Sequence, residues 1–547
     1  MNAHLQLGKD LAIFSKRVTV MRTLICIISF VAFSTLAVAQ AKSRRLPSII
    51  NHPSRNCYAP YLSFDGNALL FVSNDGEDGI LTVSYTTRET DWVEPVILPK
   101  NVNHRLVYLR GFSLSADGKK MYFTGTKSPI VGGYDIMTSD LKGNTWGEPQ
   151  NLMMPVNSKT NDGCPSVTAD GNTMYFMRCD RMDQYKADGC KLFSAKKKSN
   201  GQWDEPKELP ANINTGNSQT PRIMADGETL IFSSNKMTST QGGMDLYVTK
   251  LVDGSWSEPR AMDFANTPQD DQFVSVAALG RYLLKEAPGS KKNVELVEFL
   301  IPNELRPKGM MKIEGTITDP SNAPVSAYIS VRDLTTNKRV FSGRPNADGS
   351  YMLYLSEGTK YEMSIDPEQS NISYTARQFD LMTDKIPQRE KVNVTLKQPS
   401  PGDELSLDFV SFKPNSAELD PSSETDLKRF LRVAKANPNL KFEIQVMLNG
   451  YQQDTVMSNA DLTEVMVDSL QTQMEEIDSL GQLYKKDTVI VKRMYHNDRT
   501  LLQAQNIIAY LSSQGVPADN FTYLGNAIPA TLPDNKKITI KAVARAK

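Results

Sequence analysis

The stretch PSVTADGNTMYFM, from Pro165 to Met177, carries the pattern that decides the fold of the N-terminal half of this 547-residue chain. Its Asp-Gly pair is followed by an apolar run and, further along, by Trp203-Asp-Glu-Pro206. Three more copies place an Asp-Gly pair at Asp65, Asp117 and Asp226, each with its own W-x-E-P sequence. Successive pairs lie 52, 53 and 56 residues apart. A nearly constant period of this size is typical of one supersecondary unit that has been copied.

Each copy predicts four short antiparallel strands. In the third copy, residues 165–168, 173–177 and 191–195 form the first three strands, and the Asp-Gly pair is a tight turn because both residues tolerate positive φ. Residues 202–209 form an outer strand, where proline is tolerated because an edge needs fewer hydrogen-bond donors. Four-stranded units arranged radially form a β-propeller. A solenoid or a string of separate β domains ranks lower, because no helix or linker separates the copies.

A fifth copy is degraded and lacks its own W-x-E-P sequence, although residues 282–285 and 294–301 predict two of its strands. The missing outer strand can come from the other end of the mature chain. Three matching sequences support this: Leu46–Asn51, Leu98–Asn103 and Leu209–Asn214, the last two of which follow outer strands. Residues near 42–46 are therefore expected to complete the last blade and remove exposed sheet edges. The prediction is a five-bladed β-propeller over residues 40–303.

The composition and the N-terminus bear on localisation. The formal net charge is +0, so the chain has no basic footprint for nucleic acid. Residues 23–39 are uncharged, follow Met21-Arg22, and end in Ala37-Val-Ala39, which predicts an export signal over residues 1–39 with Gln40 as the mature start. An uncleaved anchor is the alternative, because such a segment is at the lower length limit for crossing a bilayer. The expected location is the periplasm, in association with the cell wall or the outer membrane.

Four cysteines remain after removal of the signal: Cys57, Cys164, Cys179 and Cys190. Cys179 ends one predicted strand and Cys190 begins the next, so a disulfide between them fits an oxidising compartment. The alternative is four buried free thiols. The mature histidines, His52, His104 and His496, do not occur at ligand spacing. No metal site and no cofactor are therefore predicted.

A different pattern begins after Pro302. Alternating runs at residues 312–318, 327–332, 350–355, 360–365 and 391–396 predict a small β-sandwich over residues 308–397. It resembles the carboxypeptidase regulatory-like domain, whose motif is matched by Gly315, Asp319, Pro324, Val325, Asp348, Gly349, Tyr351, Gly358 and Tyr361. The resemblance implies a spacer or adhesive module and no catalytic role. Residues 398–403 are predicted to be a linker.

Residues 404–547 have the pattern of an α+β domain. One helix is predicted from about Ser423 to Ala436, where Asn437-Pro438 stops it. A second begins at Thr500, where Gln503 completes a T-x-x-Q capping box. Strands are predicted at residues 442–447 and 537–541.

This last segment resembles the OmpA-like C-terminal domain, on the evidence of Phe412, Ser416, Leu419, Asn437-Pro438, Tyr510-Leu511, Gly515-Val516 and Asn535-Lys536-Lys537. The resemblance implies binding to peptidoglycan. The family's aspartate, which binds the diaminopimelate amine, aligns with Asn449, and its arginine, which binds the carboxylate, aligns with Gln503. A charge-assisted hydrogen bond contributes roughly 1.5–3 kcal/mol against about 1 for a neutral one, so peptidoglycan binding is expected to be weakened.

An insertion, residues 450–498, interrupts the C-terminal domain. Leu462, Val465, Met466, Leu470, Met474, Ile477, Leu480 and Tyr484 recur at a spacing that predicts a helix. The helix either packs on its own domain, which is the favoured interpretation, or binds a partner.

The order of the three modules behind an export signal resembles a family of periplasmic proteins of Gram-negative bacteria. The repeats are similar to the WD40-like repeats of TolB-type propellers, with P-x-x-S-x-D-G at residues 60–66 and G-G-x-D at residues 132–135 and 242–245. The architecture is similar to that of a peptidoglycan-associated subunit of the type IX secretion system, without its helical-repeat domain.

Two functions compete. The first is a non-enzymatic envelope scaffold, with the C-terminal domain on peptidoglycan and the propeller on a protein partner in an outer-membrane-associated assembly. The second is a glycan-binding or glycan-hydrolysing propeller, which would need two carboxylates in the central channel. The scaffold is favoured because no Ser-His-Asp order or metal cluster stands out.

Overall fold

The computed structural model describes residues 43–103, 107–126, 128–183, 186–237, 241–289, 291–383, 385–413, 416–449, 452–453, 464–477, 482–496, 500–528 and 535–545. The predicted export signal, residues 1–39, lies outside this part of the chain. The chain divides into two compact units, with the boundary between Gly309 and Met310. In the described ranges, no helix combines the length and the apolar character needed to cross a membrane.

Five antiparallel sheets make up the N-terminal unit. A short strand, β1 (Ser43–Arg45), precedes them. The first two sheets contain β2 (Cys57–Leu62), β3 (Ala68–Ser73), β4 (Thr82–Thr87) and β5 (Val96–Ile97), then β6 (Val107–Leu114), β7 (Lys120–Gly125), β8 (Asp135–Lys142), β9 (Thr145–Trp146) and β10 (Gln150–Asn151). A short 3-10 turn, Glu77–Gly79, precedes β4.

The remaining three sheets follow the same plan. They contain β11 (Asn161–Val167), β12 (Thr173–Met182), β13 (Ala187–Lys196) and β14 (Lys207–Glu208); β15 (Ser218–Ile223), β16 (Thr229–Ser234), β17 (Asp245–Val252), β18 (Ser255–Trp256) and β19 (Arg260–Ala261); and β20 (Ser275–Val276), β21 (Tyr282–Pro288) and β22 (Val294–Leu300). The Asp-Gly pairs form the turns between first and second strands, with positive φ at each glycine.

The fifth sheet takes its outer strand from the beginning of the described chain, as the sequence predicted. β1 pairs with β22, and Arg44 and Arg45 form ion pairs with Glu298 and Glu295. The sheet order is β1-β22-β21-β20. The two ends of the unit are thereby joined through one hydrogen-bonded ladder.

An apolar core lies between each pair of successive sheets, and a fifth core joins the last sheet to the first. Side chains that represent the five cores are Val72 with Phe123, Ile136 with Phe176, Met177 with Phe232, Ile231 with Val274, and Leu69 with Leu284. The packing is therefore cyclic, and each sheet buries both of its faces.

The inner segment of every sheet contains a residue with left-handed backbone geometry. These residues are Ala59, Gly111, Cys164, Thr220 and Phe273, with φ between 46° and 81°. In the first four sheets the pairing register shifts at this point, which is the mark of a β-bulge. The fifth copy keeps the left-handed residue, Phe273, although it has lost the W-x-E-P sequence.

In each sheet, one asparagine joins the outer part of the sheet to the third strand by hydrogen bonds. These residues are Asn51, Asn103, Asn157, Asn214 and Asn266. Each carboxamide oxygen accepts a backbone N–H of that strand, and each carboxamide nitrogen donates to the carbonyl of the same residue. The side chain thus replaces one rung of a β ladder. The sequence matches at Asn51, Asn103 and Asn214 indicated three of these five positions.

The outer strands are shorter than predicted. Of the predicted outer strand, residues 202–209, Lys207 and Glu208 form the ladder with β13, while Trp203 makes an isolated bridge to Lys197. Pro206 has no N–H to donate, so the ladder begins after it.

The C-terminal unit begins with two four-stranded sheets. They contain β23 (Met310–Thr318), β24 (Ala327–Asp333), β25 (Arg339–Gly343), β26 (Ser350–Ser356), β27 (Lys360–Pro367), β28 (Thr375–Asp380), β29 (Arg389–Lys391) and β30 (Val394–Thr395). One sheet has the order β26-β23-β29, with β30 also paired to β23, and the other has the order β25-β24-β27-β28. Alternate residues of β23 and β26 are buried, as expected for one-sided packing.

An α+β layer follows. Its elements are β31 (Glu404–Ser406), α1 (Glu424–Ala436), β32 (Leu440–Asn449), α2 (Thr500–Ser513), β36 (Phe521–Ile528) and β37 (Asn535–Ala544), with 3-10 turns at Pro421–Ser423 and Ala518–Asn520. The sheet order is β31-β37-β32-β36, with β32 and β36 parallel. Phe430, Phe442 and Ile507 lie in its core.

Arg429 joins this layer to the preceding sheets. Its guanidinium contacts Asp426 in its own helix, the Glu362 carboxylate at 2.7 Å and the Ser364 hydroxyl at 2.7 Å on β27. Burial raises the pKa of Asp426, against the lowering effect of Arg429. The two parts of the C-terminal unit therefore share a buried charge network.

The predicted helix in the insertion is wrong. The described residues form β33 (Gln452–Gln453), β34 (Glu464–Ile477) and β35 (Leu483–His496), and β34 and β35 pair over their whole length. The apolar positions are compatible with the period of a helix or with that of a strand. However, β35 contains the β-branched run Thr488-Val-Ile-Val491, which favours a strand. Pairing also sets acidic β34 residues against lysines of β35, with Glu475 opposite Lys485.

Candidate functional site

The two positions inferred from the OmpA-like resemblance are described only in part. Gln503 lies on α2 with 1% of its surface exposed; its Nε2 donates weakly to the Ser416 carbonyl at 3.4 Å, and its Oε1 has no partner among the described residues. Asn449 ends β32, with its backbone paired to Ile528 and Asn535. Its side chain lies outside the described residues, so the predicted pairing of Asn449 with Gln503 stays a prediction.

The cysteines divide into one disulfide and two thiols. Cys179 and Cys190 are bonded to each other and are directly opposite on β12 and β13. Cys57 and Cys164 are buried free thiols, and burial raises the pKa of each to about 12. Thiols that stay protonated at neutral pH are poor nucleophiles. In the described ranges, no group of three or more His, Cys, Asp or Glu residues could hold a metal ion.

The G-G-x-D sequences have a structural role. Asp135 accepts the N–H groups of Val131 and Gly132, and Asp245 does the same for its own loop. A Cβ on Gly132 would lie 2.0 Å from the Thr160 carbonyl oxygen, so only glycine permits this approach to the next sheet. These motifs hold neighbouring sheets together and do not form a ligand site.

The strongest candidate site is a ring of residues that immediately precede the five residues with left-handed backbone geometry. We call this set the inner ring; its members are Tyr58, Arg110, Gly163, Gln219 and Gln272. Each sheet contributes one member, seven residues before the Asp of its Asp-Gly pair or, in the fifth copy, before Leu279 of Leu279-Gly280. That constant offset is the sequence signal by which the ring could have been found.

Arg110 is the distinctive member of the inner ring. Its guanidinium lies 5.9 Å from the centre of the Tyr58 ring and 5.5 Å from that of Phe273, so it is held between aromatic faces from two other sheets. Within the described residues, Arg110 makes no hydrogen bond and no ion pair. A half-buried guanidinium of this kind has a planar set of N–H donors that suits a carboxylate or carbonyl group.

Glu286 of β21 borders the inner ring. Its carboxylate accepts the Ala59 N–H at 3.3 Å. Burial raises the pKa of Glu286, while Arg110 opposes the shift. Burial and the nearby Glu286 also raise the pKa of Tyr58. The site therefore combines a cation, an aromatic hydroxyl and a carboxyl group whose proton is held more tightly than usual.

The opposite side of the inner ring consists of amide groups and a glycine. Gln272 Nε2 donates to Gln219 Oε1 at 2.9 Å, and Gln219 Nε2 donates to the Ala187 carbonyl at 2.7 Å. Gly163 contributes no side chain, and a Cβ there would lie 2.9 Å from Thr124 Oγ1 and 3.1 Å from Met182 Cε. The amides are thus fixed in orientation.

Arg222 closes the axis next to the inner ring. It is fully buried on β15, donates to the Val274 carbonyl at 3.2 Å, approaches the Phe112 carbonyl at 3.5 Å and lies over the Tyr61 ring at 4.8 Å. It therefore reaches from the fourth sheet to the fifth, second and first. Because this side chain crosses the centre, the inner ring forms a cup instead of an open channel.

Carboxylates are scarce around this cup. Asp271 is buried in an ion pair with Lys285 and accepts the Thr267 N–H, which leaves Glu286 as the carboxyl group without an ion pair in the described part of the cup. A hydrolytic pair of the glycosidase type requires two carboxyl groups on either side of the scissile bond.

Comparison with known proteins gave structural similarity alone. No family model and no curated protein matches the chain. A protein assigned as TolB, from Agrobacterium tumefaciens, has 16% identity and a TM-score of 0.28, and the match covers 55% of this chain and 90% of that one. The β-propeller domain of the Trilobed protease from Pyrococcus furiosus has 13% identity and a TM-score of 0.27, over 45% and 81% of the two chains. An α-L-arabinofuranosidase from Lactobacillus brevis has 13% identity and a TM-score of 0.30, over 47% and 94%.

The chain is a mostly β-sheet, multidomain protein, and its N-terminal unit belongs with β-propeller folds. The repeated four-stranded sheets and their cyclic cores carry this assignment, independently of the neighbours' names.

Proposed function

We propose that the chain is a non-enzymatic scaffold of the cell envelope, which binds a protein partner through the cup of a closed, five-bladed propeller. The observation that carries this proposal is Arg110, a half-buried cation held between Tyr58 and Phe273 without an ion-pair partner in the described residues. A carboxylate or carbonyl of a partner chain would satisfy it. The plug formed by Arg222 favours a ligand that enters from one side.

We further propose that the C-terminal α+β layer is an OmpA-like domain that associates weakly with peptidoglycan in the periplasm. Its sheet order β31-β37-β32-β36, with a helix before and after β32, supports this proposal. The Oε1 of Gln503, which has no partner among the described residues, supports it as well, because a buried acceptor without a donor costs about 1–3 kcal/mol and gains from a ligand that supplies one. Membership of an outer-membrane assembly of the type IX secretion kind is part of this proposal and rests on domain order.

The experiment that tests the scaffold is crosslinked affinity capture from the native envelope with the wild-type chain and Arg110→Ala. We expect one or more proteins to be captured by the wild type and lost with Arg110→Ala. Arg260→Ala is the matched control, because Arg260 is exposed on the outer strand β19. Equal capture by all three chains would refute a role for the cup.

A glycan-directed propeller is the second candidate, and the raised pKa of Glu286 favours it, because a general acid requires a carboxyl group that holds its proton more tightly than usual. The wild type and Glu286→Gln can be incubated with peptidoglycan fragments and neutral polysaccharides, with reducing ends measured. If the wild type releases reducing ends and Glu286→Gln does not, the chain is a hydrolase and the scaffold proposal is wrong.

A further inference from the structure

The long hairpin formed by β34 and β35 is the largest feature that the proposed function does not use. We call residues 464–477 and 483–496 the arm. Each strand has 14 residues, which corresponds to a length of about 45–48 Å. In the described part of the chain, the arm pairs only with itself and with the two residues of β33. Two-stranded ribbons of this kind are marginally stable on their own, so the arm gains from a partner.

One face of the arm has an apolar patch. Leu470 is directly opposite Ile490, and Met474 and Tyr484 follow on the same face, four and six residues further toward the turn along their respective strands. Leu470 is 62% exposed, and all four side chains are exposed. The other face exposes apolar side chains at two separate places, Val489 with Val491 and Ile477 with Leu483. Two polar pairs lie between them, Gln473 with Asp487, bonded at 2.9 Å, and Glu475 with Lys485, so that face has no continuous patch.

The two strands of the arm carry opposite charges. β34 contains Glu464, Asp468, Glu475 and Glu476 and no basic residue, whereas β35 contains Lys485, Lys486, Lys492 and Arg493 with Asp487 as its one acid. On the apolar face, Glu476 of β34 bonds Tyr484 and Lys486 of β35. The patch therefore has an acidic side and a basic side.

We propose that the apolar face of the arm binds the same face of a second copy of this chain. A two-fold axis parallel to the strands places β34 of each copy over β35 of the other, so acidic strands meet basic strands twice. A two-fold axis across the strands, or edge pairing of two β34 or two β35 strands, places like charges together. Charge complementarity thus selects one isologous arrangement out of these.

The expected strength follows from the area. A ribbon of this length and about 10 Å width buries on the order of 1,000 Å² in total when two copies stack. That is the lower end of the range for specific interfaces, so we expect a weak dimer with a dissociation constant on the order of micromolar.

Sedimentation equilibrium of the full chain across a range of concentrations tests the proposal. The wild type is expected to pass from monomer to dimer, and Leu470→Thr with Ile490→Thr is expected to stay monomeric at the same concentrations. Val489→Thr with Val491→Thr is the matched control on the other face, with threonine keeping the preference for a strand. A monomeric wild type, or equal behaviour of the two double variants, overturns the proposal.

A charge exchange tests the orientation. Glu476→Lys alone and Lys486→Glu alone should each raise the dissociation constant by about tenfold or more, because like charges then meet in the homodimer. An equimolar mixture of the two variants should associate again, as should the chain that carries both substitutions. Failure of both to recover association overturns the two-fold arrangement, with an unchanged far-ultraviolet circular dichroism spectrum as the control for folding.

Discussion

Replacing Asn157 by alanine should destabilise the N-terminal unit more than its size suggests. The Asn157 side chain is 0% exposed. Its Oδ1 accepts the Ile136 N–H at 2.8 Å, and its Nδ2 donates to the Ile136 carbonyl at 3.0 Å and to Asn151 Oδ1 at 2.7 Å. Alanine removes all three hydrogen bonds and leaves the Ile136 N–H buried without a partner, whereas the Ile136 carbonyl still accepts the Leu152 N–H at 3.1 Å.

The magnitude follows mainly from that N–H group. A buried polar group that loses its partner costs about 1–3 kcal/mol, so the substitution should lower the free energy of unfolding by about 1–3 kcal/mol. A domain is typically stable by about 5–15 kcal/mol, and the loss is therefore a large fraction of the total. In a unit of this size, about 3 kcal/mol corresponds to a decrease in melting temperature of about 6–12 °C.

Calorimetry and urea unfolding of the wild type, Asn157→Ala and Asn157→Asp provide the measurement. Asn157→Asp should be destabilised as well, because a carboxylate oxygen then faces the Ile136 carbonyl. Asn200→Ala is the matched control: this exposed asparagine bonds Gln202 alone, and its loss should cost less than about 0.5 kcal/mol. If Asn157→Ala is as stable as Asn200→Ala, the asparagine does not act as a rung of the ladder.

Two further predictions concern the C-terminal unit. Arg429→Ala removes a positive charge beside the buried Glu362 and Asp426 carboxylates. It should therefore lower the free energy of unfolding by about 3–5 kcal/mol at pH 7. Arg429 lowers the pKa of Asp426 against the effect of burial, so its removal raises that pKa further. Protonation of Asp426 then relieves the variant more than the wild type, so the deficit should shrink from pH 7 to pH 5 in urea titrations; a constant deficit would contradict this. Asn449→Asp with Gln503→Arg should increase co-sedimentation with purified peptidoglycan sacculi, whereas unchanged binding by a folded variant would mean that the pocket is closed for other reasons.

The sequence by itself determined the repeated β unit and the means of its closure. Asp-Gly turns and apolar runs act over a few residues, so their chemistry can be recognised locally. The match of Leu46–Asn51 to Leu98–Asn103 and Leu209–Asn214 indicated where the first strand would pair, because the asparagine at the end of each match makes the same contacts to backbone in each sheet. The two helices of the last domain were also predictable from their spacing and their stop signals.

Only the tertiary structure decided which side chains share a site and what the insertion forms. The inner-ring residues lie about fifty positions apart, and the bulges that follow them disturb the simple alternation by which strand side chains are assigned to faces. Arg222 lies across the axis because three other sheets supply its partners. In the insertion, the apolar spacing is compatible with a helix or a strand, and the pairing of acidic β34 with basic β35, a non-local interaction, selects the strand.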